Sequence, residues 1–268
     1  RFNFAAGRQN SFRDFVDGDR LFVAPVVSWQ VTPDTRVTVE TEFLRNRTVF
    51  DRGVIAINNR LGALPISRFL SEPGQSIDQS NDSMQIRVDH RFDADWQMRL
   101  STYLNSNSLS GEAVEVRGIA ADNRTVLRDR NYRNYSADVA LGQAELVGRF
   151  DTAGIGHILL LGFERESTDG RYQQVRSRFR QDPYSLDIYA PVYGRPAPPY
   201  AFQTNGVERV TNTALYAQDQ VEINRWWKAL AAILKNNQEK KPSNQHPLNE
   251  KKSLDLNAPI ARSREQAD

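Results

Sequence analysis

Cysteine is absent from the 268 residues, so neither a disulfide framework nor a thiolate metal site can form. Long apolar runs are absent as well. None approaches the ~20 residues of a membrane-spanning helix, which excludes a helical membrane protein. The mean hydropathy is low, at −0.61. That value leaves a transmembrane β-barrel open, because every second residue of its strands faces a polar lumen and dilutes the average. A strong charge of one sign is missing too: the formal net charge of +2 is too small to argue for nucleic acid as a partner. Lysine is scarce, the first being Lys228, with arginine carrying the positive charge up to that point. No charged n-region, apolar h-region and cleavage site opens the chain, which starts at Arg1 inside patterned sequence and so reads as an internal piece of something longer.

Residues for catalysis are equally sparse. His90 and His157 each lie near an expected turn and His246 lies far along the chain, so no pair has metal-ligand spacing. No nucleophile elbow is present, and Gly118 with its neighbours forms no phosphate loop. Neither an enzyme nor a cofactor is expected.

What the sequence does contain is alternation. From Ser83 to Asn105 it reads SMQIRVDHRFDADWQMRLSTYLN. Met84, Ile86, Val88, His90 and Phe92 hold one parity while Gln85, Arg87, Asp89 and Arg91 hold the other, the period of a strand with one greasy and one charged face. After Asp93-Ala94-Asp95 the pattern resumes with Trp96, Met98, Leu100, Thr102 and Leu104, which predicts a hairpin. Pairing Phe92 with Trp96 places Asp89 opposite Arg99 on the charged face, and Glu40, Glu42, Arg87 and Arg91 share that wall. Such a lattice suits a wet lumen, and equally the solvated face of an ordinary sheet.

Similar runs are expected at Arg1–Arg8, Arg20–Gln30, Thr35–Asn46, Tyr135–Phe150, Gly156–Arg165, Thr213–Ile223 and Trp226–Leu234, with Pro25 marking an edge or a bulge. Short turns fall at Val31–Asp34, Asp93–Asp95, Asp151–Gly154 and Asn224–Arg225. Long polar connections are expected at Arg47–Asp82, Ser106–Arg133 and Glu166–Thr211. Short and long links that alternate around strands of about ten residues describe an outer-membrane barrel better than a soluble domain. Trp29, Trp96, Trp226, Trp227, Phe92 and Phe150 bracket the short turns, as the aromatic girdle of a membrane barrel does; aromatics plugging the end of a sandwich core would also lie there.

The third long connection carries the candidate binding residues. Arg171, Arg176, Arg178 and Arg180 precede Tyr184, Tyr189, Tyr193 and Tyr200, interleaved with prolines. Guanidinium groups and phenol rings on a stiffened loop suit a bulky, anionic, partly aromatic chelate, although a loop packed on its own aromatics would look the same. Beyond Leu234 lysines crowd a polar, proline-interrupted stretch without a period, so residues 235–268 are expected to form a disordered tail after a barrel region at 1–234.

Asn10-Ser11-Phe12-Arg13-Asp14, the run Val23-Ala24-Pro25 to Trp29, Phe50-Asp51-Arg52-Gly53 with Leu64-Pro65 and Arg68-Phe69-Leu70, Gly156-His157-Ile158-Leu159-Leu160, and Leu215-Tyr216-Ala217-Gln218-Asp219-Gln220 resemble the barrel of TonB-dependent ferric-siderophore receptors over roughly Arg1 to Ala229. The resemblance implies a transporter in the cell outer membrane, built of about 22 antiparallel strands around a plug and driven through TonB. It implies a ferric siderophore as ligand, with lipid and lipopolysaccharide around the wall. The chain departs from that pattern in having no plug, no TonB box and only about eight or nine of the strands, so TonB would be met only through a missing N-terminal region. The expected fold is therefore all-β, an antiparallel up-and-down partial barrel. A passive porin-like channel and a soluble all-β binding protein are the alternatives.

Overall fold

The computed structural model describes residues 1–178, 180 and 183–241. They form one antiparallel sheet, without a helix among the described residues, from β1 (Phe2–Asn10), β2 (Asp17–Thr32), β3 (Thr35–Thr48), β4 (Ile77–Arg91), β5 (Trp96–Ile119), β6 (Thr125–Thr152), β7 (Ile155–Arg176), β8 (Leu186–Asp187), β9 (Phe202–Glu222) and β10 (Lys228–Lys241). Each long strand pairs with the next long strand in the chain, and the two-residue β8 pairs with β6. The order is up-and-down, as the alternation predicts. Nothing in the described residues pairs β1 with β10, so the sheet is open.

The short turns lie together at one end. Between β6 and β7, Ala153 and Gly154 both have positive φ, 53° and 84°, as a two-residue hairpin turn of the primed kind requires. Trp96 opens β5 beside one such turn and stacks on Phe150 at 6.4 Å, which stacks on His157 at 4.9 Å. The Asn224 carboxamide oxygen accepts from the backbone N–H groups of Trp226 and Trp227 at 2.8 and 2.9 Å, so these indoles sit in the turn rather than on the strand expected at Trp226.

Register sorts the side chains by face. Val37, Val88, Leu100, Ala144, Phe163 and Leu215 are successive partners across β3 to β9. One residue along each strand, Arg36, Asp89, Arg99 and Glu145 form the matching row on the opposite face. Asp89 accepts from Arg99 at 2.8 Å and from Arg87 at 3.2 Å, and Arg91 reaches Asp34 at 2.7 Å, so the expected charge lattice exists. The apolar parity of β4 holds from His90 to Met84 and then gives way to Asp82, which pairs with Arg45. Counted from Phe92, just past the end of β4, to Met84, the band spans nine residues, the length that crosses a bilayer. On the polar face Tyr216 lies over Gly162, where a Cβ would meet its ring at 2.0 Å. Its hydroxyl donates to Glu145 at 2.9 Å, so a glycine is needed for the ring to bridge three strands.

Four further expectations are corrected. Ser106–Arg133 is mostly strand: β5 runs to Ile119, β6 starts at Thr125, and only 120–124 connect them. Glu166–Thr211 likewise shrinks to 177–201, because β7 continues to Arg176 and β9 begins at Phe202. Above the apolar band the strands no longer alternate greasy with polar, and for that reason they read as loops. Pro25 lies on an interior strand and makes neither edge nor bulge; the β2–β3 ladder skips Ala24 and Pro25 with its register unchanged. Pairing also passes the expected boundary at Leu234 and continues to Lys241, while the remaining tail, with His246, lies outside the described residues.

At the long-loop end the molecule has a packed interior. Ile57, Leu64 and Leu70 from residues 49–76 meet Val126 of β6 and Leu186 and Ile188 from 177–201.

Candidate functional site

The predicted loop residues do not gather in one place. Arg171 sits within β7 between Ser136 and Val207, on the parity of Leu161 and Phe163. Arg176 ends β7 opposite Asn131, on the other face. The Arg178 guanidinium lies 5.1 Å from the Phe202 ring, and Arg180 is exposed. Tyr184 is buried, donating to the Arg195 carbonyl at 2.7 Å with Arg128 over its ring at 4.7 Å. Tyr193 donates to the Phe69 carbonyl at 2.8 Å and meets the Phe15 ring edge-on. Tyr200 lies under Arg130 at 4.3 Å, and burial together with nearby Glu112 raises its pKa. Tyr189 alone of the four is exposed, with Arg124 6.0 Å from its ring. Three of the tyrosines therefore pack the loop against its neighbours.

Arg128 is the centre of that packing. Fully buried, it donates to the carbonyls of Tyr184 at 2.8 Å, Leu70 at 3.2 Å and Ser71 at 2.7 Å, and to the Glu72 carboxylate at 2.6 Å. The other oxygen of Glu72 accepts from the Gly194 N–H at 2.9 Å. One guanidinium thus ties residues 66–76 and 183–195 to β6, with nearly every donor used. A second clasp fixes the loop between β1 and β2. Arg13 forks onto Asp51 and donates to the carbonyls of Ile66 at 2.8 Å and Arg68 at 2.7 Å. Its partners are the motifs Phe50-Asp51-Arg52-Gly53 and Arg68-Phe69-Leu70, which the sequence shows far apart.

On the polar parity of the same strands lies a cluster that the sequence reading missed apart from Arg176. Glu115 stands opposite Asp129, and both are buried. Glu115 accepts from Asn131 at 3.0 Å, pairs with Arg133 and meets Arg52 at 2.8 Å; Asp129 accepts from Arg117 at 2.9 Å. Burial raises the Asp129 pKa, with Arg117 and Arg176 acting against it. Four guanidinium groups, from Arg52, Arg117, Arg133 and Arg176, surround two carboxylates. The excess is positive, and the Arg52 side chain is 58% exposed. Arginines already aimed by carboxylates lose little freedom when they grip an anion. The signal was present as Glu115-Val116-Arg117 and Asp129-Arg130-Asn131-Tyr132-Arg133, strand-like in composition but charged on both faces.

A wall of up-and-down strands with an uncovered apolar band, a charged opposite face and a packed cap at the long-loop end defines an outer-membrane β-barrel. The family model described as "TonB dependent receptor-like, beta-barrel" matches residues 28–240, and the chain belongs to that family, one of receptors in the outer membrane. The metal-pseudopaline receptor CntO of Pseudomonas aeruginosa strain PAO1 is 40% identical over 234 residues, which is 87% of this chain and 33% of that protein. The ferrioxamine B receptor of Salmonella typhimurium is 22% identical over 222 residues, 78% of this chain and 30% of that protein. The chain thus spans about a third of the length of these curated relatives. Among solved structures, the ferric-catecholate import receptor Fiu of E. coli K12 in its closed form shares the fold at a TM-score of 0.77 and 19% identity, covering 91% of this chain and 37% of that one.

Proposed function

We propose that this chain is part of the wall of a receptor that takes up a metal bound to a small anionic chelator. The observation that carries this reading is the arginine cluster around Glu115 and Asp129, on the polar face at the long-loop end. A chelate arriving from outside would meet Arg52 and Arg117 first, and exposed Tyr189 and Arg180 would line its approach. The ligand class includes ferric siderophores; the name of the 40% identical relative, a metal-pseudopaline receptor, favours a metal–pseudopaline complex. Energy coupling to TonB would belong to parts of the receptor beyond these residues.

The test is ligand binding to the complete receptor folded in detergent, with metal–pseudopaline and ferric ferrioxamine B as probes. Replacing Arg52 and Arg117 together by alanine should weaken binding of the accepted chelate by about tenfold or more, since each hydrogen bond between charged groups contributes about 1.5–3 kcal/mol. Unchanged affinity would remove the cluster from the site. Failure of the unaltered receptor to bind any metal chelate, with ions passing freely, would favour a passive porin-like channel.

A further inference from the structure

Arg52 is held differently from the other arginines around Glu115. Arg117 and Arg133 use N–H groups on carboxylates, donating to Asp129 and to Glu115. Arg52 comes within 2.8 Å of Glu115 Oε2, yet the approach is not aligned as a hydrogen bond, and that oxygen receives none. No hydrogen bond joins the Arg52 side chain to another of the described residues, and it is the most exposed of the three arginines. Its N–H donors stay open to a ligand.

A ring orients it instead. The Arg52 guanidinium lies over the Phe50 ring at 5.3 Å, and the Arg133 guanidinium lies over the same ring at 5.1 Å, distances at which a ring face attracts a cation. Arg133 is fixed independently through Glu115, so the ring is set against the wall and serves Arg52 as a floor. The backbone that carries both residues is fastened from the other side. Asp51, between them, forks onto Arg13 and accepts from the Gly53 N–H at 3.0 Å. Gly53 has a φ of 83°, a turn conformation that glycine adopts without strain. Asp51 thus faces the clasp, while Phe50 and Arg52 face the cluster.

Resting on the function proposed above, we propose that Phe50 is a positioning residue of the chelate site. It does not touch the chelate; it holds Arg52 across its face, so that the guanidinium N–H groups meet the anionic oxygens of the ligand already aimed. The Glu115 charge draws Arg52 in, and the ring orients it. A guanidinium stacked on a ring keeps its in-plane donors free, whereas one forked onto a carboxylate has two of them occupied. This division leaves one arginine of the cluster ready for an incoming anion.

The test is a double-mutant cycle in the complete receptor folded in detergent, read as chelate affinity with metal–pseudopaline and ferric ferrioxamine B as probes. Phe50→Leu keeps an apolar side chain but removes the ring face, and should weaken binding of the accepted chelate about threefold or more. Phe50→Tyr keeps the face and should hold affinity within about twofold of the unaltered receptor. With Arg52→Ala already in place, Phe50→Leu should cause no further loss, because the ring acts through Arg52. Equal weakening by Phe50→Leu in both backgrounds would mean a merely structural ring and would overturn the proposal. So would full affinity in Phe50→Leu where Arg52→Ala binds weakly; either result leaves the chelate site itself standing. Full affinity in Arg52→Ala, or no binding of either probe by the unaltered receptor, would instead remove the chelate site and the role of Phe50 with it.

Discussion

In the wall, Leu100, Phe163 and Leu215 are 40%, 42% and 56% exposed, whereas in the cap at the long-loop end Val126, Val175 and Ile188 are 0% exposed. The strands are continuous between the two regions, so the difference lies in the solvent each part meets. Within the band from His90 to Met84 the apolar parity has nothing of the chain upon it, and hydrocarbon completes it. Above Asp82 the outer parity meets water, and the loops at 49–76 and 177–201 cover it with a core of their own. The charged residues divide likewise. Those of the wall, such as Arg99 and Asp89, are partly exposed pairs, and each such pair contributes little. In the cap Arg128 and Glu72 are buried, and each needs the other.

Cap and wall should come apart most clearly at Arg128. Arg128→Met should destabilise the cap by about 3–5 kcal/mol, since it leaves Glu72 buried and unpaired. Hydrogen exchange should then rise at 66–76 and 183–195 while β3, β4 and the lower half of β5 keep their protection. Equal loosening of both regions would mean that they are one unit.

Val88→Arg is the reciprocal change in the wall. It should cost about 2–4 kcal/mol in a bilayer if Val88 lies near the midplane, measured by urea unfolding from liposomes, and leave the cap's protection unaltered.

The smallest effect concerns the cap's outermost turn. The Asp122 carboxylate, which accepts from the Thr125 hydroxyl and the N–H groups of Thr125 and Arg124, is held at about 2, below the ordinary 3.8. Because the folded value is the lower one, its stabilisation is complete above the ordinary value and lost as pH falls toward about 2. Asp122→Asn keeps an acceptor without titrating. Exchange of the Thr125 amide should therefore rise through that window in the natural chain and stay flat in the variant.

The same division governs what could be read from the sequence. Glu40, Arg87, Val88 and Arg99 were legible because lipid on one side and water on the other impose a period of two, and register follows from the turns. Asp129 to Arg133 were illegible because both faces of β6 are covered there, one by Arg128 and its loops and the other by the Glu115 cluster. The tyrosines of 184–200 had the right composition for a binding loop. Burial of Tyr184 and Tyr193 depends on Arg128 and Phe69, which arrive from distant segments, so no local pattern announces it. Arg52 was quoted within a motif for its family likeness, and only folding brings it to Glu115.

Whether the apolar parity of β4 faces lipid is tested most directly by thiol accessibility in lipid bilayers, using single cysteines at 84 to 89 of this cysteine-free chain and a membrane-impermeant maleimide. Arg87→Cys and Asp89→Cys should label rapidly, and Ile86→Cys and Val88→Cys should be protected. Equal labelling of Val88→Cys and Arg87→Cys would contradict that facing.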